Sequence, residues 1–150
     1  MISDIWPAEV PHGDADYSDA FTAPTSDHSA RPPEQWARQI LEGASLPMRL
    51  FLQFGWRYAL GFPLARTNAV LGWPVVARSD DWVALGQQSW LFGVVLLMRT
   101  SEGQLTWATR VEYRSRVSKV VWAIVGMIHR RYAPRALRRA AADPSAPAGR

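Results

Sequence analysis

Cysteine is absent from the 150 residues, which excludes disulfides, thiolate zinc sites and cysteine nucleophiles. A reducing cytoplasm is the compartment this composition fits. Long apolar runs are missing as well. The longest, Trp90–Met98 and Val120–Ile128, are nine residues each, where a helix crossing a bilayer needs about 20. The amino-terminal stretch MISDIWPAEVPHGDADYS has neither a basic n-region nor an apolar core, so no secretory leader is expected and the expected location is cytoplasmic. Lysine is almost lacking: Lys119 is the only one among seventeen bases. Arginine in its place, with abundant Ala and Pro, is what a GC-rich coding sequence produces and is not taken as functional. Ser/His/Asp triads, phosphate-cradling glycine loops and dinucleotide fingerprints are absent too.

What is present is hydrophobic. With 48% hydrophobic residues and eight Trp, the chain is too apolar to stay unfolded, and its length suits one domain. Charge is uneven: residues 1–42 carry eight acids against two bases, whereas 43–150 carry five acids against fifteen bases. A basic outer surface balanced by an acidic leader follows.

The organisation is read from periodicity. Residues 1–14 look like a flexible leader with two isolated hydrophobes, Ile5 and Trp6. Ala15–Ala23 places Tyr17 and Phe21 on alternate positions and predicts an edge strand. Pro33–Gly43 predicts a helix, with Glu34 in the first turn and Trp36/Ile40 and Ala37/Leu41 as i,i+4 pairs. Pro47–Leu60 predicts a second helix whose polar stripe is only Arg49, Gln53 and Arg57, so it should be contacted on more than one side. After a loop at Leu64–Gly72, strands are expected at Trp73–Arg78, Trp82–Ser89, Leu91–Thr100 and Leu105–Tyr113. If Glu102–Gly103 forms a two-residue turn, Phe92, Val94, Leu96 and Met98 face Tyr113, Val111, Thr109 and Trp107. The opposite face, with Arg99, Thr106, Arg110 and Glu112, would be wet.

From Val117 the spacing changes to Val117, Val120, Val121, Ile124, Val125, Ile128 and Tyr132. A period of two becoming one near 3.6 marks a strand handing over to a helix. That helix is expected from Ser115 to Ala133, with these seven residues buried, Pro134 kinking or breaking it and Arg135–Ala142 forming a short basic extension. Residues 15–142 would form the domain and 143–150 a disordered tail. The fold class expected is α+β: a curved antiparallel sheet of about five strands wrapped on a long carboxy-terminal helix, with two short helices after the first strand.

This order of elements resembles the helix-grip fold of the birch-pollen allergen, the START lipid-transfer domains and the polyketide cyclases. The phrases DYSDAF (Asp16–Phe21), EQWARQILEGA (Glu34–Ala44), VLGWPVVARSDD (Val70–Asp81) and VVWAIVGMIHRRYAP (Val120–Pro134) resemble a bacterial branch of that superfamily defined only as a domain of unknown function. The resemblance covers residues 15–142. It implies a cavity between the concave sheet and the terminal helix, used for lipids, polyketides or other hydrophobic ligands.

The candidate binding residues follow from the inward row Phe92, Val94, Leu96, Met98, Trp107, Thr109, Val111 and Tyr113. The 62–72 loop and Phe54 or Tyr58 would cap them, and Val121 joins the binding set. Arg49 and Arg57 are candidates for contacting a ligand's anionic group. No catalytic residue is assigned. Were the protein an enzyme of the cyclase or dehydratase kind, Tyr113 or Asp19 would polarise the substrate carbonyl. His129 is placed on the outer flank of the last helix, in water. With His12 and His28 in loose segments, no metal site or cofactor is expected. The expected partner is a hydrophobic small molecule or lipid. Eight bases and no acids from Arg114 to Arg139 add weak contact with an anionic membrane and a third reading, a peripheral module docking on such a membrane or on a partner protein through its basic helix end and the Phe51/Trp56 side of the second helix. Nucleic acid is not expected, since no aromatic residues interleave with the bases for stacking.

Overall fold

The switch from period two to period 3.6 falls where the residues require it. A computed structural model describes residues 5–10, 15–25, 32–42, 45–63, 68–101 and 103–142, with the side chains of Tyr58 and Ala59 outside the description. Strand β1 (Tyr17–Pro24) is followed by helices α1 (Pro33–Glu42) and α2 (Leu46–Phe54), the latter continuing into a π-helical turn at Gly55–Ala59. Strands β2 (Ala69–Val70), β3 (Trp73–Arg78), β4 (Trp82–Gln88), β5 (Phe92–Ser101) and β6 (Gln104–Tyr113) precede helix α3 (Ser118–Ala142). The sheet order is β1-β6-β5-β4-β3-β2, antiparallel throughout. This is a helix-grip-like α+β arrangement: a curved sheet wrapped on a long terminal helix, with two short helices after the first strand. The sixth strand is the two-residue β2, lying where a loop was expected.

The β5–β6 hairpin has the expected register. Phe92, Val94, Leu96 and Met98 pair with Tyr113, Val111, Thr109 and Trp107, and Gly103 takes the positive φ of 69° that the turn demands. One face of these strands is thereby committed to the interior. Helix α1 meets it with Trp36, Ala37, Ile40 and Leu41, all fully buried.

Helix α3 departs from expectation in length and in orientation. It runs 25 residues through Pro134 to Ala142, about 37 Å. An interior proline forfeits one hydrogen bond and costs roughly 3 kcal/mol. Beyond it, Ala136, Leu137, Ala140 and Ala141 are buried, α3 packs on α1, and Arg139 Nη2 donates to Ile40 O at 3.5 Å. That packing carries the helix past the break.

The orientation is the larger correction. Val117, Val120, Ile124 and Ile128, predicted to be core, are exposed, and Val121, Val125 and Tyr132 are only half-buried. The buried side carries Ser118, Trp122 and Gly126. Two apolar stripes compete on this helix, and periodicity cannot say which one meets the sheet. Trp122 supplies the larger surface: its ring lies 5.1 Å from Tyr17 and 5.9 Å from Phe92. Gly126 makes room for it, since a Cβ there would stand 3.0 Å from Trp122 Nε1. Ser118 fastens the helix start by donating to Leu91 O at 2.5 Å.

The sheet's other face is not simply wet. Ile5, Trp6 and Val10, read as part of a loose leader, form a second cluster there with Trp82, Ala84, Leu97 and Ala108. Arg99 Nη1 donates to Ile5 O at 2.9 Å, and the Arg110 guanidinium lies 4.5 Å from the centre of the Trp6 ring. Arginines predicted to face water thus hold a strap over small inner-strand residues.

Two isoleucines, one buried in α1 and one exposed on α3, predict unequal mutational costs. Ile40→Ala in α1 should destabilise by about 2–5 kcal/mol, as buried truncations do. Ile124→Ala should stay within about 0.5 kcal/mol. Urea denaturation followed by circular dichroism measures both; a large loss for Ile124→Ala would mean that this side is packed.

Candidate ligand cavity

The inward row of the sheet, the α2 segment and α3 enclose a cavity of about 260 Å³. Its sheet wall is Trp73, Val94, Leu96, Trp107 and Thr109; Leu41, Leu60 and Phe62 close one side. Phe51, Leu52, Gly55 and Trp56 come from α2 and its π-helical turn, and Trp122, Val125, Ile128, His129 and Tyr132 from α3. A second depression, of about 620 Å³, is more open and lined by residues such as Val76, Val95, Arg110 and Glu112.

Two aromatic groups mark the smaller cavity. On β3, Trp73 meets Trp56 and Phe62 edge-on, with ring centres 5.5 and 5.3 Å apart. On β6, Trp107 meets His129 edge-on at 5.8 Å. Three strand spacings separate β3 from β6, roughly 14 Å. Val94, Leu96 and Thr109 lie between. Gln87, buried in β4, steadies the β3 side by donating to Pro63 O at 2.7 Å and Gly72 O at 3.0 Å.

His129 is inside rather than in water. Its side chain is 14% exposed, and Nε2 stands 3.1 Å from Asp19 Oδ2, itself 13% exposed. The approach is close enough for an ion pair but not aligned as a hydrogen bond. The same Oδ2 accepts a hydrogen bond from the Tyr17 hydroxyl at 2.6 Å, and Arg130 Nη1 lies 3.5 Å from that hydroxyl. Strand alternation explains the cluster: Tyr17, Asp19 and Phe21 share the inner face of β1, opposite Val111, Thr109 and Trp107 of β6. A carboxylate placed there needs a partner, and His129 supplies it. Trp107, Trp122 and Phe21 surround the imidazole with ring centres within 6.3 Å.

Buried polar atoms on the wall lack protein partners. Among the described residues these include Trp73 Nε1, Trp107 Nε1 and Thr109 Oγ1. Such groups are normally satisfied, and a hydrogen-bonding atom inside the cavity would complete them.

The predicted site residues divide. Val94, Leu96, Trp107 and Thr109 line the cavity. Phe92, Met98 and Val111 are fully buried but outside its wall, and Tyr113 and Val121 are half-buried beside it. Phe54 is exposed, its neighbours Phe51 and Gly55 being the lining residues. The side chain of Tyr58 lies outside the described residues. Arg49 is half-buried with Nε unpaired, Arg57 is exposed, and neither is part of the wall. Sequence reasoning missed His129, Trp122 and Tyr132 on α3, along with Trp56, Phe62 and Trp73. An inward Asp19 between Tyr17 and Phe21, with Trp122 and His129 seven apart on the facing helix, was the signal available for the first two.

No family model, curated protein or solved structure matches the chain. Among the described residues no cluster of His, Asp or Glu is arranged to hold a metal, and no helix is long and apolar enough to cross a membrane.

Burial pushes the pKa of Tyr132 above the ordinary phenol range, opposed by the Arg139 guanidinium nearby. Burial, opposed by Arg130 and aided by Asp19, does the same for Tyr17. A folded-state value above the unfolded one means that the neutral phenols favour folding below about pH 10. That contribution fades as pH climbs through the folded value. Ultraviolet titration of tyrosinate should therefore show a component above the ordinary midpoint, diminished in Tyr132→Phe; one midpoint unchanged by the substitution would contradict it.

Proposed function

We propose that the protein binds a hydrophobic small molecule or a single-chain lipid, without covalent chemistry, in the cavity between the sheet and α3. The supporting observation is the wall itself: aliphatic and aromatic side chains from three layers of the fold around an interior space, with few polar atoms. At about 260 Å³ the space is just below the usual ligand-site range of roughly 300–1,000 Å³. One ring system or one short acyl chain suits it better than a diacyl lipid. The guest's apolar body would lie along Val94 and Leu96, and its polar end would be directed to Thr109, Trp107 and the His129–Asp19 pair.

This reading extends the likeness to helix-grip proteins from architecture to use. Tyr113, the other candidate for polarising a carbonyl, is not on the cavity wall, which favours binding over catalysis by that residue. The membership in that superfamily and the bacterial branch stand as part of the same proposal.

The test is native mass spectrometry of protein purified from the cell, followed by calorimetric titration of the stripped protein with decanoic acid. One bound apolar molecule per chain and saturable one-to-one binding are expected. Leu96→Trp, which fills the space, should keep a cooperative thermal melt and lose binding at least about tenfold, some 1.4 kcal/mol. Bare polypeptide with no saturable uptake, or Leu96→Trp binding as well as the native chain, would overturn the reading.

A further inference from the structure

Helix α3 carries a second apolar stripe, and it is in solvent. Twelve large hydrophobic residues are exposed among the described residues; only Val76 and Trp90 lie away from α2 and from α3 with the residue just before it. At the start of α3 and along it these are Val117, just before the first helical residue, and Val120, Ile124, Met127 and Ile128, between 47% and 64% exposed. On α2, Leu46, Leu50 and Phe51 are 57–59% exposed, and that helix buries no residue at all. A nine-residue helix so placed has little intrinsic stability of its own. Isolated surface hydrophobes need no explanation, but a concentration on two neighbouring helices does.

The two sets are adjacent. Phe51 of α2 and Ile128 of α3 both line the cavity and are both exposed, so they sit at its mouth. The α3 stripe then continues in the same three-and-four spacing as Arg131, Arg135 and Arg138, all exposed. Its first three turns are therefore apolar and its last two basic. No Asp or Glu occurs from Gly43 to Ser79 or from Tyr113 to Ala142, so this face has no acid of its own to meet those arginines.

We propose that the α2–α3 face docks on an anionic lipid bilayer. Val120, Ile124 and Phe51 would enter the boundary between headgroups and acyl chains, and Arg131, Arg135 and Arg138 would contact lipid phosphates. Charge decides between a bilayer and a second copy of the chain. Pairing two such stripes in parallel sets arginine on arginine, and pairing them antiparallel sets arginine on isoleucine. Neither complements; an anionic interface complements both halves. The mouth of the cavity then opens towards the lipid, although docking does not depend on the cavity being filled.

The test is co-sedimentation of the full chain with vesicles of phosphatidylcholine alone and of phosphatidylcholine containing phosphatidylglycerol. Binding is expected to the anionic vesicles and to weaken steeply with added salt. Removing three arginines in Arg131→Ala/Arg135→Ala/Arg138→Ala should lower partitioning on the order of a hundredfold. Ile124→Ser with Val120→Ser should lower it at least about tenfold while circular dichroism stays native. Leu96→Trp should bind vesicles like the native chain, which separates failure of the cavity reading from failure of docking. No binding to either vesicle, or binding indifferent to these variants, would overturn the proposal. So would a dimer in analytical ultracentrifugation that Ile124→Ser dissolves, because the face would then be a contact between copies.

Discussion

The seating of Trp122 and His129 against β1 and β6 decides everything else about the molecule. A helix can turn only one side to a sheet, and α3 has two apolar sides from which to choose. The tryptophan finds Tyr17 and Phe92, the glycine at 126 lets it lie close to its own helix, and the histidine finds Asp19. With that side committed, the valines and isoleucines of the other stripe have nowhere to go but outward. One choice of rotation thus produces both the polar end of the cavity and the apolar outer surface.

Energetically the division of labour is clear. The interior is held by α1, whose four buried apolar residues sit over the central strands, and by the alanine-rich end of α3 that packs on α1. Small residues there let helices approach closely, leaving bulk for the cavity walls further along. Helix α2 takes little part in this core, and so forms a rim for the cavity with one edge inward and the rest in solvent. A polar network of Arg130, Tyr17, Asp19 and His129 crosses from β1 to α3. It pairs one oxygen, Oδ2, of a carboxylate that strand alternation places indoors.

How much of this was legible in the sequence follows from the kind of signal each feature leaves. The β5–β6 register was legible because a one-residue slip would have mixed polar with apolar faces. Helix α1 was legible because its i,i+4 pairs form one stripe, and a single stripe has only one way to be buried. Helix α3 was legible as a helix but not in rotation, since two stripes satisfy the same period. Its passage through Pro134 was hidden because the compensating contacts, Leu137 and Ala140 against α1, are separated from it by a hundred residues of chain. The Ile5–Val10 strap left only two or three hydrophobes among turn residues, too few for any periodicity. Of the cavity, the strand residues Val94, Leu96, Trp107 and Thr109 were recoverable by alternation. The residues from α3 were lost with its rotation, and His129 with them.

Because the chain has no cysteine, the rotation of α3 can be read directly by thiol labelling of two single variants, Ile124→Cys and Ala133→Cys. Ile124 is 58% exposed and Ala133 fully buried, on opposite sides of one helix. The account predicts that the Ile124→Cys thiol reacts in the native state nearly as fast as a free thiol. The Ala133→Cys thiol should react only as the protein unfolds. Protection at position 124 together with rapid reaction at 133 would contradict it.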